Sequence, residues 1–149
     1  MEIHGAISEI LKDKGMQVWS VSPGATVFDA IQLMADKNVG ALVVLEVDRL
    51  AGVFSERDYT RKVILQGKSS KQTAVGEILT PNVITASPSD SVTHCLRKMT
   101  ECRVRHLPVV EDGKVVGIVS IGDLVKWVIS AQTATIDHLE GYITGRYPA

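Results

Sequence analysis

The residues best suited to chemistry are two Ser-x-x-Asp pairs, Ser55-Glu56-Arg57-Asp58 and Ser120-Ile121-Gly122-Asp123. Each follows a Gly-hydrophobic-x triplet, Gly52-Val53-Phe54 in one case and Gly117-Ile118-Val119 in the other. At a helix start, a serine hydroxyl and the unpaired backbone N–H groups are suited to anionic oxygens. An ionised aspartate is an acceptor with two oxygens. The same spacing is a helix-capping signal, in which Ser caps the N–H groups and the acid complements the helix dipole. Thr26-Val27-Phe28-Asp29 has that grammar too. Spacing alone leaves capping and ligand binding both open.

Other chemistry has little to stand on. The sequence contains no G-x-x-x-x-G-K-[ST] phosphate loop, no G-x-G-x-x-G fingerprint and no Ser/His/Asp triad signature. His4, His94, His106 and His138 are scattered, and with two cysteines they offer no metal-ligand spacing. Cys95 and Cys102 fall on one predicted helix, about 10 Å apart along its axis, which is too far for a bridge and argues for free thiols. Cys95 reads as a core residue, Cys102 as an exposed one, and His106, just before Leu107-Pro108, as a packed or edge residue.

The elements that must position these pairs come in duplicate. Sliding the chain by 65 positions aligns Val18 to Val63 with Val83 to Val128 without a gap, and 13 of the 46 pairs are identical, Ser22-Pro23/Ser87-Pro88, Met34/Met99 and Gly52/Gly117 among them. Each copy opens with an extended segment, Gln17 to Val21 or Val83 to Ala86, stopped by Ser-Pro. Thr26 and Ser91 then cap helices with apolar stripes at Val27, Ala30, Ile31, Met34 and at Val92, Cys95, Leu96, Met99. Two strands follow in each copy, around Val47-Asp48-Arg49 and around Asp112-Gly113, a hairpin dipeptide. Closing helices run from Ser55 to about Leu65 and from Ser120 to about Ala131. The resulting expectation is an α/β (α+β) fold of two β-α-β-β-α units over residues 17–67 and 81–131, sharing one core about a pseudo-twofold axis. A helical segment leads (1–16), a polar linker with a short helix joins the units (68–80), and a helical tail closes the chain (132–149). In that tail Ile136, Leu139 and Ile143 lie at helical spacing, as a packing stripe or a dimer contact.

The repeated order, with Gly-hydrophobic-x-Ser-x-x-Asp closing both copies, resembles the tandem CBS-domain pair, or Bateman module, and in particular the small bacterial proteins that consist of such a pair alone. What the resemblance implies is a cleft between paired units that takes an adenosine-containing ligand such as AMP, ADP or ATP, with NAD(H) or S-adenosylmethionine in some members. The Ser/Asp pair of one copy works there with the first strand and pre-strand turn of the other. The implied first site is Ser55, Arg57 and Asp58 with Thr85, Arg103, Val104, Arg105 and His106. The second is Ser120 and Asp123 with Ser20, Val39, Gly40 and Ala41. Aspartate would hold the ribose hydroxyls, serine and the helix start the phosphate, and apolar residues the adenine. The arginines make the first site the more cationic and suit it to the more heavily charged phosphate group. The module is expected to be regulatory rather than catalytic, without a catalytic cofactor, and to form a homodimer that signals to a target protein. A structural or oligomerisation protein whose Ser-x-x-Asp pairs are only caps is the competing reading, and an enzyme acting on a nucleotide is the third.

Composition agrees with a folded chain of modest charge. In 149 residues, 45% are apolar and 22% charged, enough for a sizeable core. A net charge of -1 lacks the basic excess that drives phosphate-backbone binding, so nucleic acid is not expected. No apolar run reaches bilayer length, and Met1-Glu2-Ile3-His4 lacks the basic start of a signal peptide, so the expected location is the cytoplasm, with no membrane partner.

Overall fold

A computed structural model describes residues 5–15 and 17–143, with side chains as far as residue 132. The chain runs α1 (Ile7–Lys14), β1 (Ser20–Val21), α2 (Val27–Lys37), β2 (Ala41–Glu46), β3 (Arg49–Ser55), α3 (Glu56–Asp58) widening into a π-helix (Tyr59–Ile64), α4 (Val75–Ile78), α5 (Val92–Cys102), β4 (His106–Glu111), β5 (Lys114–Ser120) and α6 (Ile121–Ile143). In the first unit β1 pairs parallel with β2, and β2 pairs antiparallel with β3. The second has the same β4–β5 hairpin, but its opening strand shrinks to one parallel bridge, Ala86 to Val109. Both opening strands are shorter than the sequence suggests because Ser-Pro turns the chain away almost at once.

Both hairpin turns have two residues, Val47-Asp48 and Asp112-Gly113, and all four carry positive φ, which matches the twist of the flanking strands. Val47 adopts φ 47° and is 90% exposed, an uncommon place for a β-branched side chain. The register sets Ala41 opposite Ser55 and His106 opposite Ser120, so each Ser-x-x-Asp begins where its hairpin ends.

The expected shared core is instead two cores. One holds Val27, Ala30, Met34, Leu42, Val44, Phe54 and Val63 of the first unit, and is completed by Val75 and Ile78 of α4. The other holds Val92, Cys95, Met99, Leu107, Val109, Val119 and Leu124, and is completed by Ile7, Ile10 and Leu11 of α1. Each unit is thus finished by the helix that precedes the other unit. The backbone joins are equivalent: Val75 and Gly76 donate to the Ala25 and Pro23 carbonyls, as Ile7 and Ser8 donate to those of Asp90 and Pro88. Ile7-Ser8-Glu9-Ile10-Leu11 and Val75-Gly76-Glu77-Ile78-Leu79 are matching segments. These segments lie 68 positions apart, out of step with the 65-residue register, so the repeat alone does not reveal α1 and α4 as equivalents.

Two further differences concern helices. The closing helix of the first unit becomes a π-helix after Asp58, with the Leu65 N–H donating to the Thr60 carbonyl. α6 continues without a break to Ile143, so no separate tail helix begins near residue 132; the side chains of Ile136, Leu139 and Ile143 lie outside the described residues.

Leu11 is 3% exposed and rests on Gly117 of β5. Leu11→Ala is expected to cost about 2–5 kcal/mol, the usual range for a buried leucine that leaves a cavity. Amide exchange should show protection lost in α5 and the β4–β5 hairpin more than in α2 and the β2–β3 hairpin, although residue 11 precedes the first unit in the chain.

Candidate functional site

Between the units lies a cleft of about 480 Å³, within the range of small-molecule sites. One wall carries Ser55, Glu56, Arg57 and Asp58; the other carries Arg103, Val104, Arg105 and His106. Seven of the eight residues expected in the first site therefore stand together. Thr85 does not line the cleft; its carbonyl accepts a 2.7 Å bond from Lys98 Nζ. Val83 and Ile84 line it instead, with Val53, Thr80, Asn82 and Cys102. Gly40, expected in the second site, also lines this one.

The Ser55–Asp58 pair forms a complete capping box. The Asp58 N–H donates to Ser55 Oγ at 3.2 Å, and the Ser55 N–H donates to Asp58 Oδ2 at 3.0 Å. Ser55 Oγ also donates to Oδ2 at 3.0 Å, Thr80 Oγ1 donates to Oδ1 at 3.2 Å, and Lys62 Nζ lies 3.2 Å from Oδ1. Asp58 is 9% exposed and its acceptor sites are filled, which is what a buried carboxylate requires. A ligand hydroxyl that reaches it must replace one of these donors, and the Ser55 hydroxyl turns most easily.

Facing it, α5 ends with Arg103 in the left-handed region at φ 55°, where the aligned residue of the first unit is Asn38 at φ 54°. Asn takes that conformation readily and Arg does not, so local strain accompanies the arginine at the cleft mouth. Arg57 Nη1 donates to the Arg103 carbonyl at 3.3 Å and ties the two walls together. Arg57, Arg103 and Arg105 outnumber Asp58 and Glu56 on the walls and make the cleft cationic. His106 is held below the usual histidine range, first by burial and then by Lys14, with Asp123 opposing and Arg105 and Arg57 adding to the effect. Cys102 is an exposed free thiol and Cys95 a buried one, raised mainly by burial.

The second expected site is assembled differently. Ser120 and Asp123 repeat the cap, with the Asp123 N–H donating to Ser120 Oγ at 3.1 Å and the Ser120 N–H donating to Asp123 Oδ2 at 2.8 Å. Ser20 pairs with Val43, Ala41 pairs with Ser55, and Val39 packs on the first core. Neither the cleft nor a shallower groove lined by Arg61, Lys62, Gln66, Lys68 and Glu77 includes Ser20, Val39, Ala41, Ser120 or Asp123. What meets Asp123 is Lys14 of α1, its Nζ 2.6 Å from Oδ2 and 2.8 Å from the Ile118 carbonyl.

The whole pattern, two matching units with a cleft between them, agrees with the description "CBS domain" matched over residues 7–64 and 75–130. The chain belongs to the CBS-domain family. The matched ranges begin at Ile7 and Val75, the first residues of the exchanged helices α1 and α4. The mitochondrial CBS-domain protein CBSX3 of Arabidopsis thaliana is 42% identical over 95% of this chain and 73% of its own length. A CBS-domain protein of Burkholderia ambifaria MC40-6 superposes with a TM-score of 0.83 at 50% identity, covering 86% of this chain and 96% of its own. The CBS pair of protein MJ0100, solved with 5′-methylthioadenosine and S-adenosyl-L-methionine, shares the fold at 24% identity, with a TM-score of 0.75 and coverage of 86% and 98%. As a CBS pair, the chain is a regulatory module. Among the described residues no cluster of His, Cys, Asp and Glu is arranged to hold a metal ion, and no helix is long and apolar enough to cross a membrane.

Asp123 gives a pH test of the CBS pair. Burial alone would raise its pKa, but the bonds from Lys14 and Ser120 outweigh burial and leave it below 3.8. A depressed carboxylate contributes stability that is complete above its unfolded pKa and is lost as pH falls through the folded value. Asp123→Asn should therefore be less stable than wild type at pH 7, and the difference should narrow once pH drops below about 3.8. Urea unfolding at a series of pH values measures it; a constant difference down to pH 3 would contradict this account.

Proposed function

We propose that this CBS pair is a non-catalytic module that binds an adenine nucleotide in the Asp58 cleft and passes energy or redox state to a partner protein. AMP, ADP and ATP are the leading ligands, with NAD(H) as a further candidate. The observation that carries this reading is the meeting, in one cleft, of the buried Asp58, the Ser55 helix start and three arginines. In this reading the ribose hydroxyls take the place of the Ser55 hydroxyl on Asp58. The freed Ser55 Oγ, Arg57, Arg103 and Arg105 then take phosphate oxygens, each a charge-assisted or helix-start contact. Adenine lies against Val104, Val53 and Ile84, its edge toward the backbone of residues 104–106. The adenosine ligands of MJ0100 belong to the same chemical class. The arginines favour an anionic phosphate over the cationic sulfonium of S-adenosylmethionine.

Ligand binding would act by favouring one arrangement of the units over another, to the extent that its affinity differs between them. A homodimer is part of the proposal: Ile121, Val125 and Ile129 lie exposed at four-residue spacing on α6, a stripe suited to a second copy. The cytoplasm remains the proposed location for this chain, whereas the Arabidopsis relative is mitochondrial by name.

The competing reading, an oligomerisation protein whose Ser-x-x-Asp pairs are caps, draws on the completeness of both caps. Thermal unfolding with and without nucleotide separates the two. Wild type with AMP or ATP at a hundred times Kd should gain about 2.7 kcal/mol. Asp58→Ala should stay folded at a cost of about 0.5–2 kcal/mol for the lost cap and gain nothing from nucleotide. Arg105→Ala should weaken ATP by about tenfold or more and leave adenosine nearly unchanged. No stabilisation of wild type by any of these ligands at millimolar concentration would leave only the structural reading.

A further inference from the structure

The two aspartates each meet a lysine, one from its own helix and the other from α1. Lys62 reaches Asp58 from one turn further along the same helix, and its ammonium also lies 3.2 Å from the Ile78 carbonyl and from Thr80 Oγ1. It lines the shallow outer groove and not the cleft, so Asp58 keeps a face on the cleft wall. The residue aligned with Lys62 in the second unit is Trp127, which brings no cation behind Asp123.

Lys14 arrives from another element and bridges Asp123 Oδ2 and the Ile118 carbonyl. Ile118 aligns with Val53, whose carbonyl accepts from the Thr80 N–H, while Thr80 Oγ1 donates to Asp58. Val53 and Thr80 are both cleft wall in the first site. One ammonium therefore meets the carbonyl that faces the Thr80 N–H in the first site and the capping-box oxygen that faces the Ser55 hydroxyl there, the place proposed for a ribose hydroxyl. By that equivalence it lies on the ligand side of its carboxylate. At 2.6 Å the bond is short and charge-assisted, stronger than the bond a neutral ribose hydroxyl would offer in exchange.

We propose that Lys14 is a latch that decides occupancy of the second site: Asp123 accepts an adenosine ligand only when the Lys14 ammonium is withdrawn. This rests on the nucleotide reading of the first cleft. It makes wild type a one-nucleotide module despite its two Ser-x-x-Asp pairs, and ties opening of the second site to the last turn of α1.

Calorimetric titration of the full chain with AMP tests the latch. Wild type is expected to take one AMP per chain. Lys14→Met, which keeps the aliphatic stem and drops the charge, should take two, and Lys14→Gln should behave the same way. Lys14→Met combined with Asp123→Ala should return to one, or weaken the second event at least tenfold. One AMP per chain in both single variants, while wild type also binds one, overturns the latch and leaves the nucleotide reading standing. Two per chain in wild type, or two at unchanged affinity in the double variant, overturns the latch as well. No binding of AMP, ADP, ATP or NAD(H) by any of these proteins up to millimolar concentration overturns the nucleotide reading and the latch together.

Discussion

Each unit folds into a hairpin and two helices with one apolar side left over, and the helix that covers it comes from ahead of the other unit. Ile7, Ile10 and Leu11 finish the second core, while Val75 and Ile78 finish the first. The inter-unit cleft depends on this exchange. Thr80 follows directly on α4, and its backbone pairs in both directions with Val53 while its hydroxyl reaches Asp58. A site wall is thus held in place by the same segment that seals a hydrophobic core, so neither unit would keep both its core and its half of the cleft if separated. Units this small bury too little surface alone, and the exchange is the fold's answer to that limit.

Duplication makes two equivalent frames but does not make two equivalent sites. The frames agree closely: both hairpins turn on two residues of positive φ, and both α2 and α5 end on a left-handed residue. Both Ser-x-x-Asp caps form with N–H to Oγ distances of 3.1–3.2 Å. The differences that set the charge of the two sites are in side chains projected from these frames. Arg57 stands against Gly122, Arg105 against Gly40, Arg103 against Asn38 and Lys62 against Trp127. Every one of these exchanges places the cation at or beside the Asp58 cleft. The exception is Lys14, and it belongs to neither 65-residue copy.

The repeat and both caps were legible because they depend on local periodicity and on a gapless register, whereas the seven expected residues that meet in the cleft came from the resemblance to the CBS pair. Thr80, Asn82, Val83 and Ile84 were harder to see, for two different reasons. Val83 and Ile84 lie in a recognisable extended segment beside Thr85, and which of its residues faces a cleft depends on the neighbouring unit. Thr80 ends the expected linker and Asn82 opens the second unit, both ahead of the gapless 65-residue register that starts at Val83. The matching Ile-Ser-Glu-Ile-Leu and Val-Gly-Glu-Ile-Leu segments were the available signal. Even so, matching segments announce similar helices without saying which core each one enters.

The same limit explains why Lys14 was invisible as the partner of Asp123. A lysine in the last turn of a short helix ordinarily serves the helix dipole, and nothing adjacent in sequence marks it for more. Its partner Asp123 lies 109 positions away, brought close only because α1 crosses to the second core. Once that crossing is made, Lys14 also becomes the leading charge effect, after burial, on His106, which lines the first cleft and whose ring passes 3.6 Å from the point where a side chain on Gly40 would begin. His106 therefore stands between the two aspartate sites, in contact with the wall of one and under the charge of the other. His106 thus lies under the opposing charges of Lys14 and Asp123 while it lines the Asp58 cleft.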